Sequence, residues 1–111
     1  MKKIFIAGPM SGYKNFNFDH FDEVESELNK KGYSATNPAH IARKYLGDLV
    51  YKIDKEPIDF NSFDFKGMIK EQSDALLSCD SIYMLKGWEY STGAKNEIVL
   101  AIQNNKEVIL E

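Results

Sequence analysis

Lys2 to Ala7 reads KKIFIA, a short apolar run of strand formers that stops abruptly at Gly8-Pro9. A strand without polar alternation is buried on both faces, as strands of a parallel sheet are, and its end in a glycine loop marks entry to a crossover connection. The connection is helical: from about Asn17, residues Phe18, Phe21, Val24 and Leu28 recur at helical spacing, Lys30 and Lys31 fall in the last turn and Gly32 stops the helix. Tyr33 to Thr36 is expected to be a second strand, closed by Asn37-Pro38, and Ile41 to Leu46 a short helix. Residues 47–62 show neither period nor repeat and are expected to form an irregular insertion. A helical stripe resumes at Phe63 with Phe65, Met68, Ile69, Leu76 and Cys79, and Asp80 opens a third strand, Ser81 to Leu85. Ser91 is placed to cap a last helix whose inner stripe is Ala94, Ile98, Ala101 and Ile102, and Glu107 to Leu110 is the final strand. Strands alternating with helices predict an α/β fold, with a mainly parallel sheet of about four or five strands covered on both faces. Ligands of such sheets bind outside the carboxyl ends of the strands.

With 111 residues, 43% of them hydrophobic, the chain is long enough for one compact core and is read as one domain, 1–111. Fourteen Lys and Arg against seventeen Asp and Glu give a net charge of -3, with the basic residues scattered rather than gathered in a stripe. Duplex nucleic acid is therefore excluded as a partner, while a small anion held by backbone amides is not. The single cysteine, Cys79, rules out an internal disulfide and a multi-cysteine zinc site, and His20 and His40 lack metal-ligand spacing, so neither metal nor cofactor is expected. No signal peptide and no apolar run near eighteen residues predict a cytoplasmic protein with no membrane partner.

Two loops should meet at the carboxyl edge of the sheet. The first, 8-GPMSG-12, comprises Gly8, Pro9, Met10, Ser11 and Gly12. Its glycines either let backbone approach a ligand or serve a turn, and it matches neither the dinucleotide fingerprint nor the Walker pattern. The second, 86-KGWEYSTG-93, contributes Gly87, Trp88, Ser91 and Gly93. Two hydroxyls and a glycine at a helix N-terminus make an anion cradle, and an ordinary Ser cap leaves Gly93 unexplained, since glycine costs about 1 kcal/mol against alanine inside a helix. Glu97 borders the buried stripe of this helix and is not the acid of a capping box, which would stand at position 94, an alanine. It is either a nucleophile or base, or the partner of Lys95 or Lys70 in a salt bridge.

The segments IFIAGPMSG, NF followed by NPAH, and DALLSCDSIYMLKGWEYSTGAKNEIVLA together resemble a domain family of uncharacterised function, common in phages and bacteria, that is similar to the nucleoside 2-deoxyribosyltransferases and the deoxynucleoside 5'-monophosphate N-glycosidases. The resemblance covers nearly the whole chain except residues 47–62, and it implies a Rossmann-like, flavodoxin-like three-layer sandwich. It further implies that Glu97 attacks the anomeric carbon of a deoxyribose, that Ser91 and Gly93 hold a 5'-phosphate, and that the Gly8–Gly12 loop lines the same pocket. A small-molecule nucleotide or nucleoside is the implied partner, and relatives build parts of their pockets across subunits. The relatives carry an aspartate eight residues before the position of Asp80, where this chain has Gln72. A glutamine there can bind a sugar or base but cannot transfer a proton.

Three readings follow from these residues: an enzyme acting on the N-glycosidic bond of a 2'-deoxynucleotide, a nucleotide-binding module that lost its chemistry with the acid, or an interaction protein docking through residues 47–62. A homo-oligomer is also expected, because Tyr45, Leu46, Leu49, Val50, Tyr51, Ile53, Ile58 and Phe60 show no period that would gather them into one core.

Overall fold

The computed structural model describes residues 2–111. Four strands, β1 (Lys3–Ala7), β2 (Ser34–Thr36), β3 (Ser81–Met84) and β4 (Glu107–Leu110), form one sheet in the order β2-β1-β3-β4. Every neighbouring pair is parallel, with Ile4 opposite both Ala35 and Ser81, and Ile82 opposite Val108. The helices are α1 (Phe18–Lys30), α2 (Pro38–Leu46), α3 (Phe65–Leu77) and α4 (Thr92–Gln103).

The alternation of β1 divides the core. Ile4 and Ile6 point to one side, against Phe18, Phe21, Val24 and Leu28 of α1 and Ala39, Ala42 and Leu46 of α2. Phe5 and Ala7 point to the other, against Leu76 of α3, Cys79, and Ala94 and Ala101 of α4. Both faces of β1 are thus covered, which is why its sequence lacks polar alternation. From β1 the chain runs to β2 on one side and later to β3 on the other, so the carboxyl ends of β1 and β3 flank the crevice where the sheet order reverses.

Several elements differ from expectation for local reasons. Helix α2 begins at Pro38 rather than near Ile41, because the Asn37 side chain accepts a hydrogen bond from the Ala39 amide at 2.9 Å and proline suits the first helical position. Residues 47–62 are not wholly irregular: Gly47–Lys52 coils into 3-10 turns, and Leu49, Val50, Ile53 and Ile58 pack on the α1/α2 side of the core. Most of the residues that suggested an oligomer therefore have a place within the chain, while Tyr51 and Phe60 stay exposed. Helix α3 starts at Phe65, where Asp64 caps the Gly67 amide at 2.9 Å, and only Leu76 and Cys79 of its expected stripe are buried. Ile102 of α4 is 59% exposed; it stands about 80° round the helix from Ala94, off the alanine strip that lets α4 lie close to the sheet.

The loop after β1 carries an unusual turn. Asn15, Phe16 and Asn17 all have left-handed backbone (φ 53°, 52° and 60°), held by the Asn15 amide donating to Asp54 Oδ1 at 2.7 Å and Asn17 Nδ2 donating to the Pro9 carbonyl at 3.0 Å. Asparagine tolerates this conformation; Phe16 does so against its preference, with its ring edge-on to Phe18 at 5.9 Å.

Candidate active site

A cavity of about 590 Å³ opens beyond the carboxyl ends of β1 and β3. Gly8, Pro9, Met10, Ser11 and Gly12 line one side, Ser91 to Ala94 with Asn96 and Glu97 a second, and Phe65, Met68, Ile69, Gln72 and Ser73 of α3 a third. The structure brings these sequence-selected residues together, with two exceptions. Gly87 and Trp88 do not line the cavity. Gly87 turns the chain with φ +90°, and its bare Cα leaves room for the Tyr13 hydroxyl, 2.7 Å from where a Cβ would stand. Trp88 packs against the α3/α4 side of the core, while Tyr90, at the other end of the short helical turn Trp88–Tyr90, lines the cavity.

The first glycine of the Gly8–Gly12 loop resolves toward packing: a Cβ at Gly8 would lie 2.7 Å from Leu85 Cβ, so the loops leaving β1 and β3 touch only because position 8 is bare. Gly12 serves the turn, with φ +84° and open space around it. Gly93 is of another kind. Its backbone is ordinary and the nearest atom to an added Cβ is Ser91 Oγ at 4.0 Å, so neither strain nor packing asks for glycine. What its bareness leaves is an unobstructed approach to the first turn of α4, where free amides point outward. Ser91 caps that turn, its Oγ accepting from the Ala94 amide at 3.2 Å.

Glu97 sits one turn further into α4, half-buried on the cavity wall. Desolvation alone pushes its carboxyl up to about 8, with no charged or hydrogen-bonding neighbour contributing. The salt-bridge explanation fails: Lys70 pairs with Asp74 at 2.8 Å, and Lys95 makes no ion pair with Glu97 among the described residues. Gln72 is buried and reaches the cavity, its amide donating a long hydrogen bond of 3.4 Å to the Pro38 carbonyl. The carboxylates beside it in sequence are engaged elsewhere. Glu71 accepts from Lys44 and from the Tyr45 hydroxyl at 3.1 Å, and the Lys44 ammonium holds it below the ordinary range.

The fourth side of the cavity was not anticipated. Phe60 and Phe63, from the segment before α3, meet Phe65 edge-to-face, with ring centroids 5.0 and 6.2 Å from it, and Phe16 and Tyr13 continue the aromatic surface. The signal in the sequence is the density of phenylalanine at 60, 63 and 65, of which the helical stripe takes in Phe63 and Phe65 but not Phe60.

Neither histidine lines the cavity. Asp22, Glu25 and His40 lie close enough to hold a cation, yet Arg43 grips Asp22 at 2.7 Å and Asn37 Nδ2 donates to Asp22 at 2.9 Å and Glu25 at 3.3 Å, so the cluster is a filled lock between α1 and α2. Among the described residues, no helix is long and apolar enough to cross a membrane.

Comparison with curated proteins finds no match. Among solved structures, a 2-deoxyribosyltransferase from the psychrotolerant bacterium Bacillus psychrosaccharolyticus, described as a biocatalyst for nucleoside synthesis, aligns over 97% of this chain and 70% of its own, with a TM-score of 0.67 and 21% identity. The two share the Rossmann-like, flavodoxin-like α/β fold. One family profile matches residues 2–110, and the chain belongs to that family, described as a domain of unknown function, DUF4406.

Proposed function

We propose that this chain cleaves or transfers the N-glycosidic bond of a 2'-deoxynucleotide, with Glu97 as nucleophile. The observation that supports this most is the setting of Glu97: a carboxyl on the cavity wall with, among the described residues, no ion pair and no hydrogen bond to explain it structurally. Attack of a Glu97 oxygen on C1' forms a glycosyl ester as the base departs, and water or a second base then attacks C1' and restores the carboxylate. The first turn of α4, open at Gly93, is suited to a 5'-phosphate one helical turn away. Deoxyribose spans that separation.

A second reading, a nucleotide-binding module with little or no catalysis, is favoured by Gln72, whose amide cannot transfer a proton. One experiment separates the two. Purified protein is incubated with a panel of 2'-deoxynucleoside 5'-monophosphates, free base is measured by chromatography, and thermal shifts are recorded for each nucleotide and its nucleoside. The enzyme reading expects free base from wild type and none above background from Glu97→Ala. It also expects the monophosphate to stabilise the fold by about 2.7 kcal/mol at one hundred times its dissociation constant. Stabilisation without base release from any nucleotide establishes the binding module, and turnover that survives Glu97→Ala removes the nucleophile assignment.

A further inference from the structure

We propose that the base this site releases best is a cationic one, a ring-alkylated purinium of a 2'-deoxynucleotide, because its cavity pairs a single carboxyl with an aromatic wall and has no group placed to protonate a neutral base. The proposal rests on the glycosyl-transfer reading and specifies its substrate class.

A neutral base must leave C1' as an anion unless a ring nitrogen is protonated as the bond breaks, which is the work of a general acid. Among the described residues lining the cavity, Glu97 is the sole carboxyl, and no lysine, arginine or histidine joins it. Glu97 is occupied at the anomeric carbon. The other polar side chains there are hydroxyls, phenols and amides; the amide of Gln72 cannot transfer a proton, and hydroxyls and phenols are weaker acids than the carboxyl that position 72 lacks. Glu71 and Asp74, the nearest carboxylates on α3, are tied to Lys44 and Lys70.

A purine alkylated at N7 already carries the positive charge that protonation would supply. The balance is simple: a Glu97 oxygen forms a bond to C1', the C1'–N9 bond breaks, and its electron pair enters the ring, so the base departs neutral. Water then adds to C1', the ester bond returns its pair to the Glu97 carboxylate, and one proton passes to solvent. The cavity suits such a ligand twice over. Phe60, Phe63 and Phe65 line the cavity as a cluster of rings set edge-to-face on Phe65, and recognition of ligand cations by aromatic walls is a general use of ring quadrupoles. No cationic side chain opposes it, and a positive charge beside Glu97 favours the ionised carboxylate that attack requires.

The test compares N7-methyl-2'-deoxyguanosine 5'-monophosphate with 2'-deoxyguanosine 5'-monophosphate, which share sugar and phosphate, with Glu97→Ala protein supplying the background for spontaneous depurination. We expect kcat/KM for the methylated nucleotide to exceed that for the unmethylated one by at least about 100-fold, the lower end of what a general acid contributes. Gln72→Asp is expected to raise turnover of the unmethylated nucleotide and narrow that ratio, with its thermal melt reporting that the fold is kept. Gln72→Glu repeats the test if the aspartate variant does not fold. Comparable kcat/KM for the two nucleotides in wild type overturns the cationic-base inference and leaves the glycosyl-transfer reading standing; a ratio unmoved by a folded acidic variant also overturns it. Release of neither base overturns both, and equal release by wild type and Glu97→Ala overturns the reading on which the inference rests.

Discussion

Two walls of the cavity are built in contrasting ways. One is the start of a regular helix, where Ser91, Gly93 and Glu97 are fixed by the 3.6-residue repeat and anchored by Ala94 and Ala101 in the core. The other is irregular chain, where Phe60 and Phe63 precede α3 and Phe16 stands on a left-handed turn. The helical wall carries polar and ionisable groups; the irregular wall carries rings. Reacting groups need rigid placement, whereas surfaces that select among ligands can be changed loop by loop without disturbing the core. Under the proposed glycosyl transfer, bond-making would fall to α4 and selection of the base to residues 60–65.

Breaking the helical wall should have the largest effect. Glu97→Ala is expected to lower turnover on the order of 10,000-fold or more, as loss of a nucleophile does, with the monophosphate thermal shift largely kept. Phe63→Ala tests the other wall: nucleotide KM should rise about tenfold or more from lost apolar contact, with kcat changed far less. If Phe63→Ala lowers kcat as severely as Glu97→Ala, the division between walls is wrong.

The acidity of Glu97 sharpens the comparison further. Its carboxyl, pushed up to about 8 by desolvation, stays protonated in the folded chain across a range where the unfolded chain has lost the proton. The folded state therefore binds more protons between the ordinary carboxylate range and pH 8, and stability should fall as pH rises through that window. Glu97→Gln should remove this slope, leaving a variant more stable than wild type by on the order of 2 kcal/mol above pH 8 and by little at pH 5, measured by denaturant titration. A slope equal in both proteins would place its origin elsewhere. Wild-type turnover, needing the carboxylate, should rise toward a plateau above pH 8.

The smallest effect, and the one of opposite sign for fold and ligand, is expected at Gly93. Alanine there meets no atom nearer than 4.0 Å and suits a helix better, so Gly93→Ala should stabilise the fold by up to ~1 kcal/mol. The same methyl group intrudes on the approach to the α4 amides, so the monophosphate should bind more weakly while its nucleoside is little affected. Equal losses for both would show that the first turn of α4 does not receive the phosphate.

The sequence was most informative where a period or a stop signal organised it. Phe18, Phe21, Val24 and Leu28 announced α1, KKIFIA announced a strand buried on both sides, and Ser91 announced the cap of α4, because each is a local pattern imposed by backbone geometry. The helical wall of the site followed from its cap and spacing. The aromatic wall did not: Phe63 is held against the α1/α2 side of the core, a contact distant in sequence, and Phe60 leans on Phe63 and Phe65 from a stretch with no period of its own. Gly87 and Trp88 were misplaced for a related reason: membership of the right loop says nothing about which side chains a short helical turn rotates inward. The early start of α2 shows one signal serving two ends, since Asn37-Pro38 closes β2 and caps the helix that follows.

The strand order β2-β1-β3-β4 also governs when the fold can assemble. β1 and β2 can meet as soon as β2 is made, but the central ladder joins Ile4 to Ser81, so the middle of the sheet is left unfinished until β3 has been synthesised. Until then one edge of an apolar strand stands open, and closing so long a loop makes the step slow. During translation, a chain interrupted between α3 and β3 thus carries an open apolar edge prone to aggregation, and the crevice that defines the site forms only once β3 has emerged.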